Sequence, residues 1–159
     1  MSKFSYQNLS VLLPLWIFLA GSFIWYLVLY QAISFFTGFA VLNLLIFLTF
    51  WQTLLSLRRE GELIGLKSKK QVFIVSLVLV LGLGELIWSI SFMPFSFFIL
   101  GGILAVIFGI VLDIYREYFR KPVSDNLKIK HILIRDIITG VIVIIIFIFI
   151  SPWLPPKAL

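Results

Sequence analysis

Residues 72–92 read VFIVSLVLVLGLGELIWSISF, and this stretch decides the class of fold. Its one charged residue, Glu85, stands among apolar, small and hydroxyl side chains. A helix of about 20 mainly apolar residues is long enough to cross the hydrocarbon core of a bilayer. Backbone groups in hydrocarbon must be hydrogen-bonded within their own segment, which a helix achieves. The stretch therefore predicts a membrane-spanning helix that carries a carboxyl group.

The composition of the whole chain points to the same environment. The 159 residues are 62% hydrophobic and 13% charged, and the mean hydropathy is +1.14. Soluble domains carry about 25% charged residues, and a soluble fold of this size keeps much of its surface in water. We therefore expect an all-α integral membrane protein of the cell membrane, with residues 1–159 forming a single transmembrane domain.

Five segments qualify as membrane spans: about 9–30, 33–57, 72–92, 95–115 and 137–154. The first is longer than the 7–15 apolar residues of a signal peptide, so we interpret it as a retained helix. The fifth contains VIVIIIFIFI at 141–150, whose β-branched residues favour strands in water. In hydrocarbon the need for internal hydrogen bonds predicts a helix there too.

Positive charge is concentrated on one side of these spans. Two basic loops, at about 58–71 and 116–136, hold 11 of the 13 Lys and Arg residues, and Lys3 brings the number on this side to 12. Short loops rich in Lys and Arg remain in the cytoplasm. The sequence thus predicts the N-terminus inside, the C-terminus outside, and two hairpins that turn on the outer side, followed by a C-terminal helix.

The basic loops are expected to contact anionic lipid headgroups on the cytoplasmic side. The residues assigned to this contact are Arg58, Arg59, Lys67, Lys69, Lys70, Arg116, Arg120, Lys121, Lys128 and Lys130. Gly61 follows two arginines, which is typical of a glycine that ends a helix. Residues 124–136 are interpreted as an amphipathic helix on the headgroups that leads into the fifth span.

Two stretches resemble each other within the chain. AGSFIW at 20–25 and LGELIW at 83–88 align without a gap, and SFF follows both, at 34–36 and 96–98. A parallel duplication of the hairpin is one interpretation, and such repeats occur in transporters. Chance similarity between segments rich in Phe, Ile and Leu is the other. The alignment pairs Ser22 with Glu85.

Glu85 is the one residue of this span that the need for an apolar membrane helix does not explain. It lies about eight residues, or roughly 12 Å, below the outer end of its helix, and Asn43 and Ser22 are expected at a similar depth. With Ser89, one turn further along, these residues form a predicted intramembrane polar cluster. An ionised carboxylate near the bilayer centre costs at least about 2.5–3.5 kcal/mol, so Glu85 is expected to be neutral unless a cation lies nearby.

Three roles for Glu85 remain open. It can hold helices together by hydrogen bonds to Asn43 or Ser22, serve as a proton or cation site on a transport path, or meet a basic residue of another subunit. Intramembrane ionisable residues are functional candidates by default. No Lys, Arg or His occurs within any span core, which excludes an ion pair inside the chain at that depth.

Span four carries a stripe of small residues, Gly101, Ala105 and Gly109, at four-residue spacing. Such a stripe lets another helix backbone approach closely, so we assign it to helix packing. The fifth span has no small or polar residue from Val141 to Ile150 and is expected at the periphery.

The chain offers little basis for catalysis. It contains no cysteine and one histidine, His131, in a basic loop without clustered metal ligands. Asp113 and Asp136 near the cytoplasmic span ends are interpreted as interfacial anchors, with a phosphate or divalent-cation site as the alternative. We therefore expect no enzymatic activity, no metal, no cofactor and no nucleic-acid partner.

The functional prediction is a non-enzymatic assembly or accessory subunit of a membrane complex, with a membrane-protein partner or a homo-oligomer. The alternative is a small oligomeric transporter or channel-like protein that uses Glu85 with Asn43.

Overall fold

The computed structural model describes residues 4–59, 61, 65–66, 68–93, 95–119 and 126–150. Within these residues the chain forms five α-helices and no strand. The helices are α1 Phe4–Leu29, α2 Phe35–Arg59, α3 Lys69–Ser91, α4 Phe97–Phe119 and α5 Asn126–Ile150. The all-helical fold with five helices is confirmed for this part of the chain.

Four of the helices are long and apolar enough to cross a membrane. The qualifying segments are Leu12–Leu29, Phe35–Arg59, Lys69–Ser91 and Phe97–Arg116. In α5 the apolar segment that the structure describes is shorter, Ile137–Phe149. The end of the predicted fifth span, residues 151–154, lies outside the described residues, as does Lys3.

α5 combines the amphipathic helix predicted over 124–136 with the predicted fifth span. One uninterrupted helix runs from Asn126 to Ile150, and residues 124–125 lie outside the described residues. This helix has no proline, which is one of the usual causes of a sharp kink. The β-branched run at 141–150 is helical, as predicted.

The helices pack in neighbouring pairs around an apolar core. α1 packs chiefly against α4, α2 packs against α3, and α5 packs against α4. Phe50 of α2 and Phe108 of α4 are fully buried, with ring centroids 4.5 Å apart. These two rings join the pairs in the middle of the bundle.

The α1–α2 and α3–α4 connections lie together at one end, here called the hairpin end. The ring centroids of Phe35 and Phe92 are 6.5 Å apart, and those of Tyr26 and Phe97 are 5.3 Å apart. The Trp88 ring also contacts Phe35, at 5.3 Å. Aromatic contacts thus hold the two hairpins side by side.

At the opposite end, the connection between α2 and α3 follows two local rules. Gly61 adopts φ +74° and donates its N–H to the Arg58 carbonyl, which confirms it as the glycine that ends α2. Ser68 begins α3 with a capping box: its hydroxyl accepts from the Gln71 N–H, and the Gln71 side chain accepts from the Ser68 N–H. These caps satisfy backbone groups that helix ends leave open.

Candidate functional site

The seam between α1 and α4 brings the backbones of the two helices close together. A Cβ atom added at Gly21 would lie 3.6 Å from the Gly101 Cα. One added at Gly101 would meet the Ser22 hydroxyl and stand 3.0 Å from the Phe18 carbonyl oxygen. Two turns further along α4, the Pro14 ring packs over Gly109. A Cβ atom added at Gly109 would lie 3.5 Å from the Pro14 Cγ.

The stripe of small residues in α4 therefore lies against α1. Ala105, between the two glycines, is buried. Small side chains remove the steric barrier to close backbone approach, and close approach lets many weak dispersion contacts form. The sequence predicts the stripe but not its partner, Gly21 with Ser22.

Ser22 is buried in this seam, with 5% of its surface exposed. Its hydroxyl has no hydrogen-bond partner among the described residues. It faces α4 rather than the other polar residues predicted to lie at its depth.

Asn43 belongs to a different seam, between α2 and α3. Its side-chain nitrogen donates to the Phe39 carbonyl oxygen one turn earlier, at 2.8 Å. Its side-chain oxygen rests over Gly84, where an added Cβ would be 2.8 Å away. Gly84, which the sequence analysis had not singled out, thus makes the space that Asn43 occupies.

Glu85 lies on the exposed face of α3. Ser89, at the next turn, is also exposed, and its hydroxyl donates to the Glu85 backbone carbonyl at 2.9 Å. The Glu85 carboxyl group has no hydrogen-bond or ion-pair partner in the part of the chain that the structure describes. Glu85 stands six residues before the end of α3, roughly 9 Å along the axis, somewhat closer to the end than the sequence suggested.

The structure does not bring Glu85, Asn43, Ser22 and Ser89 into one cluster. Residues at equal depth on different helices meet only when their helices are also rotated toward each other. Successive residues differ by 100° around a helix, so Gly84 faces Asn43 while Glu85 faces away from the bundle. The hydrogen bonds from Glu85 to Asn43 or Ser22, one of the three roles considered, are not formed.

α5 is held to α4 by two further glycines. The Phe147 ring lies over Gly102, 2.9 Å from an added Cβ, and the Ile110 side chain lies against Gly140. The outer face of α5 is apolar and exposed at Ile138, Val141 and Ile145. Gly140 precedes the run in which the sequence analysis found no small residue, so this contact was missed.

The basic residues assigned to headgroup contact lie mainly at one end of the bundle, opposite the hairpin end. Arg58 and Arg59 occupy the last turn of α2, Lys69 and Lys70 the first turn of α3, and Arg116 the last turn of α4. Lys67, Arg120 and Lys121 lie outside the described residues. Lys128 and Lys130 belong to the first turns of α5, and the structure describes their backbone only.

Asp113 and Asp136 are the residues predicted to be interfacial anchors, with a phosphate or divalent-cation site as the alternative. Asp113 is half-buried in α4, while the Asp136 side chain, like that of His131, is outside the described part. Within the residues described, no group of three or more His, Asp or Glu is placed to hold a metal ion. A cavity of about 10 Å³, lined by Trp25, Ile87, Ile90, Leu100 and Leu104, is at the lower limit for one water molecule.

The fold defines a class: a helical bundle with four helices long and apolar enough to cross a membrane. No protein-family model, no curated protein and no solved structure matches the chain.

Proposed function

We propose that this chain is a multi-pass membrane protein that acts as a non-enzymatic assembly or accessory subunit of a larger membrane complex. It inserts in the cell membrane with five spans, the fifth at about 137–154. The two hairpins turn on the outer side, the N-terminus is inside and the C-terminus is outside.

The distribution of charge supports this orientation. Arginines and lysines occupy the ends of α2, α3 and α4 opposite the hairpin end, where cytoplasmic loops keep positive charge near anionic headgroups. The hairpin end carries a cluster of aromatic side chains, in which the Trp88 ring contacts Phe36 and Phe92. Aromatic side chains of this kind are enriched at membrane interfaces.

One observation carries the assignment as a subunit: Glu85 lies on the outer face of α3. In an isolated protein this face would meet lipid. Ionisable side chains are rare within membrane spans, and those that occur almost always face protein or water. A subunit interface gives the carboxyl group protein surroundings. The apolar outer face of α5, which packs on α4, offers a second area for neighbours.

The test is the composition of the native particle. We expect extraction from native membranes in a mild detergent to yield a particle in which mass spectrometry finds this chain with a second membrane protein at fixed stoichiometry. The same particle should persist when the extraction is repeated in lipid nanodiscs without detergent. Recovery of the chain alone by both routes would remove the basis of the proposal.

A further inference from the structure

We propose that Gly82, Glu85 and Ser89 of α3, here called the Glu85 strip, form the docking surface for one membrane-spanning helix of a different protein. That helix carries a lysine or an arginine at the level of Glu85. The inference rests on the proposed role as a subunit and names the position and the chemistry of the contact.

The Glu85 strip is open and has the shape of a helix-packing face. Its three residues lie three and four positions apart, so they share one side of α3. A Cβ atom added at Gly82 would meet nothing within 4 Å. Leu81 and Val78 beside the strip are 64% and 58% exposed. A small residue at either end of the strip leaves room for a second backbone, with the carboxyl group between them.

The chain itself contains a covered counterpart of the central position of this strip. In the aligned stretches AGSFIW and LGELIW, both glycines, Gly21 and Gly84, are buried. The next aligned positions differ: Ser22 is buried in α1, whereas Glu85 is exposed in α3. Trp25 is likewise 6% exposed against 38% for its counterpart Trp88. The α1 position that corresponds to Glu85 is covered by a helix, α4, through Gly101, whereas the counterparts of Gly82 and Ser89, which are Leu19 and Tyr26, are exposed.

Charge complementarity decides which helix covers the strip in α3. A second copy of the chain in the same orientation supplies no cation, because no Lys, Arg or His occurs at 4–57, 71–115 or 136–156. Two copies meeting at the strip would oppose carboxyl group to carboxyl group, and like charges disfavour ionisation. A lysine or arginine on a different helix instead allows a charged pair with hydrogen bonds, which is how intramembrane ions are usually accommodated.

Photo-crosslinking in native membranes locates the partner. A photoreactive amino acid replaces Leu81 in the full-length chain, and mass spectrometry identifies the cross-linked peptide. We expect a spanning segment of a different protein with Lys or Arg at the level of Glu85, and a yield at least about tenfold lower with Glu85→Gln, since removing one member of a buried pair is strongly destabilising. A probe at Leu44 on the exposed face of α2 is the matched control, and its products should not change.

Three outcomes would overturn this inference. They are a cross-link from residue 81 to a second copy of this chain, a cross-link only to lipid, and a partner segment without a cation at that level. If the native particle still contains a stoichiometric partner in any of these cases, the role as a subunit stands and only the docking surface is wrong.

A reconstituted system tests the charge alone. The purified full-length protein is placed in phosphatidylcholine vesicles with a synthetic leucine-rich spanning helix that carries one lysine six residues from its outer end. Energy transfer between labels should report association with the wild-type chain and at least about tenfold weaker association with Glu85→Gln. A helix with leucine in place of the lysine is the control. Equal binding of both helices would overturn the assignment of a cationic partner.

Discussion

The backbone nitrogen of Ser22 lies so close to α4 that a Cβ atom added at Gly101 would stand 2.8 Å from it. Backbone atoms on both sides define this contact, so neither helix can yield by turning a side chain. The seam between α1 and α4 is consequently the part of the bundle most sensitive to added volume.

Gly101→Ala should lower the free energy of unfolding by about 1–3 kcal/mol, the usual effect of overpacking. Thermal unfolding of the purified protein in mild detergent measures the change. Gly82→Ala is the matched control, because it adds the same methyl group to α3 in open space. Alanine also favours helix over glycine, so the control should be neutral or slightly stabilising. Equal losses in both variants would contradict a tight seam.

Gly84→Ala should be milder than Gly101→Ala. The added methyl group meets the side-chain oxygen of Asn43 rather than backbone, and that side chain can move at the expense of its bond to the Phe39 carbonyl. In an Asn43→Ala background Gly84→Ala should lose its effect, with a coupling energy of about 0.5–3 kcal/mol in the double-mutant cycle. Additive effects would show that the two residues do not touch.

Gln31→Gly should stabilise the α1–α2 turn. Gln31 has φ 58°, a left-handed conformation that disfavours residues with a Cβ by about 1–2 kcal/mol and that glycine adopts freely. We expect a gain of about 1 kcal/mol in the same unfolding assay. Ala32→Gly, at the neighbouring residue without positive φ, should instead be neutral or destabilising, and a similar gain there would refute the conformational explanation.

Glu85→Gln should leave proton and cation flux through proteoliposomes unchanged, because the outward Glu85 is not joined to Asn43 or Ser22 in a polar path within the described residues. Flux is measured with a pH-sensitive dye and a cation-sensitive dye, alongside protein-free vesicles. The variant should elute like the wild type in size-exclusion chromatography. If its flux is nevertheless abolished, the transporter alternative is favoured, with Glu85 on a transport path between two copies of the chain.

The sequence was sufficient to predict the helices, because length and hydropathy decide whether a segment can cross a membrane. It also indicated that Gly101, Ala105 and Gly109 share a face. It did not reveal how each helix is rotated about its axis, since a helix in lipid is apolar on every side and has little amphipathic signal. That rotation separates Ser22, inside the bundle, from Glu85 on its surface. It also hides the role of Gly84, which depends on a side chain from another helix.

The pairing of α1 with α4 also has a consequence for biosynthesis. Gly21 and Gly101 are separated by roughly 80 residues of chain, and a ribosome adds about 5–20 residues per second. α1 therefore waits roughly 4–16 s after its own synthesis before its principal neighbour has been translated. During that interval Gly21 and Ser22 are not yet covered by α4. The seam between α1 and α4 therefore forms only after α2 and α3 have been synthesised.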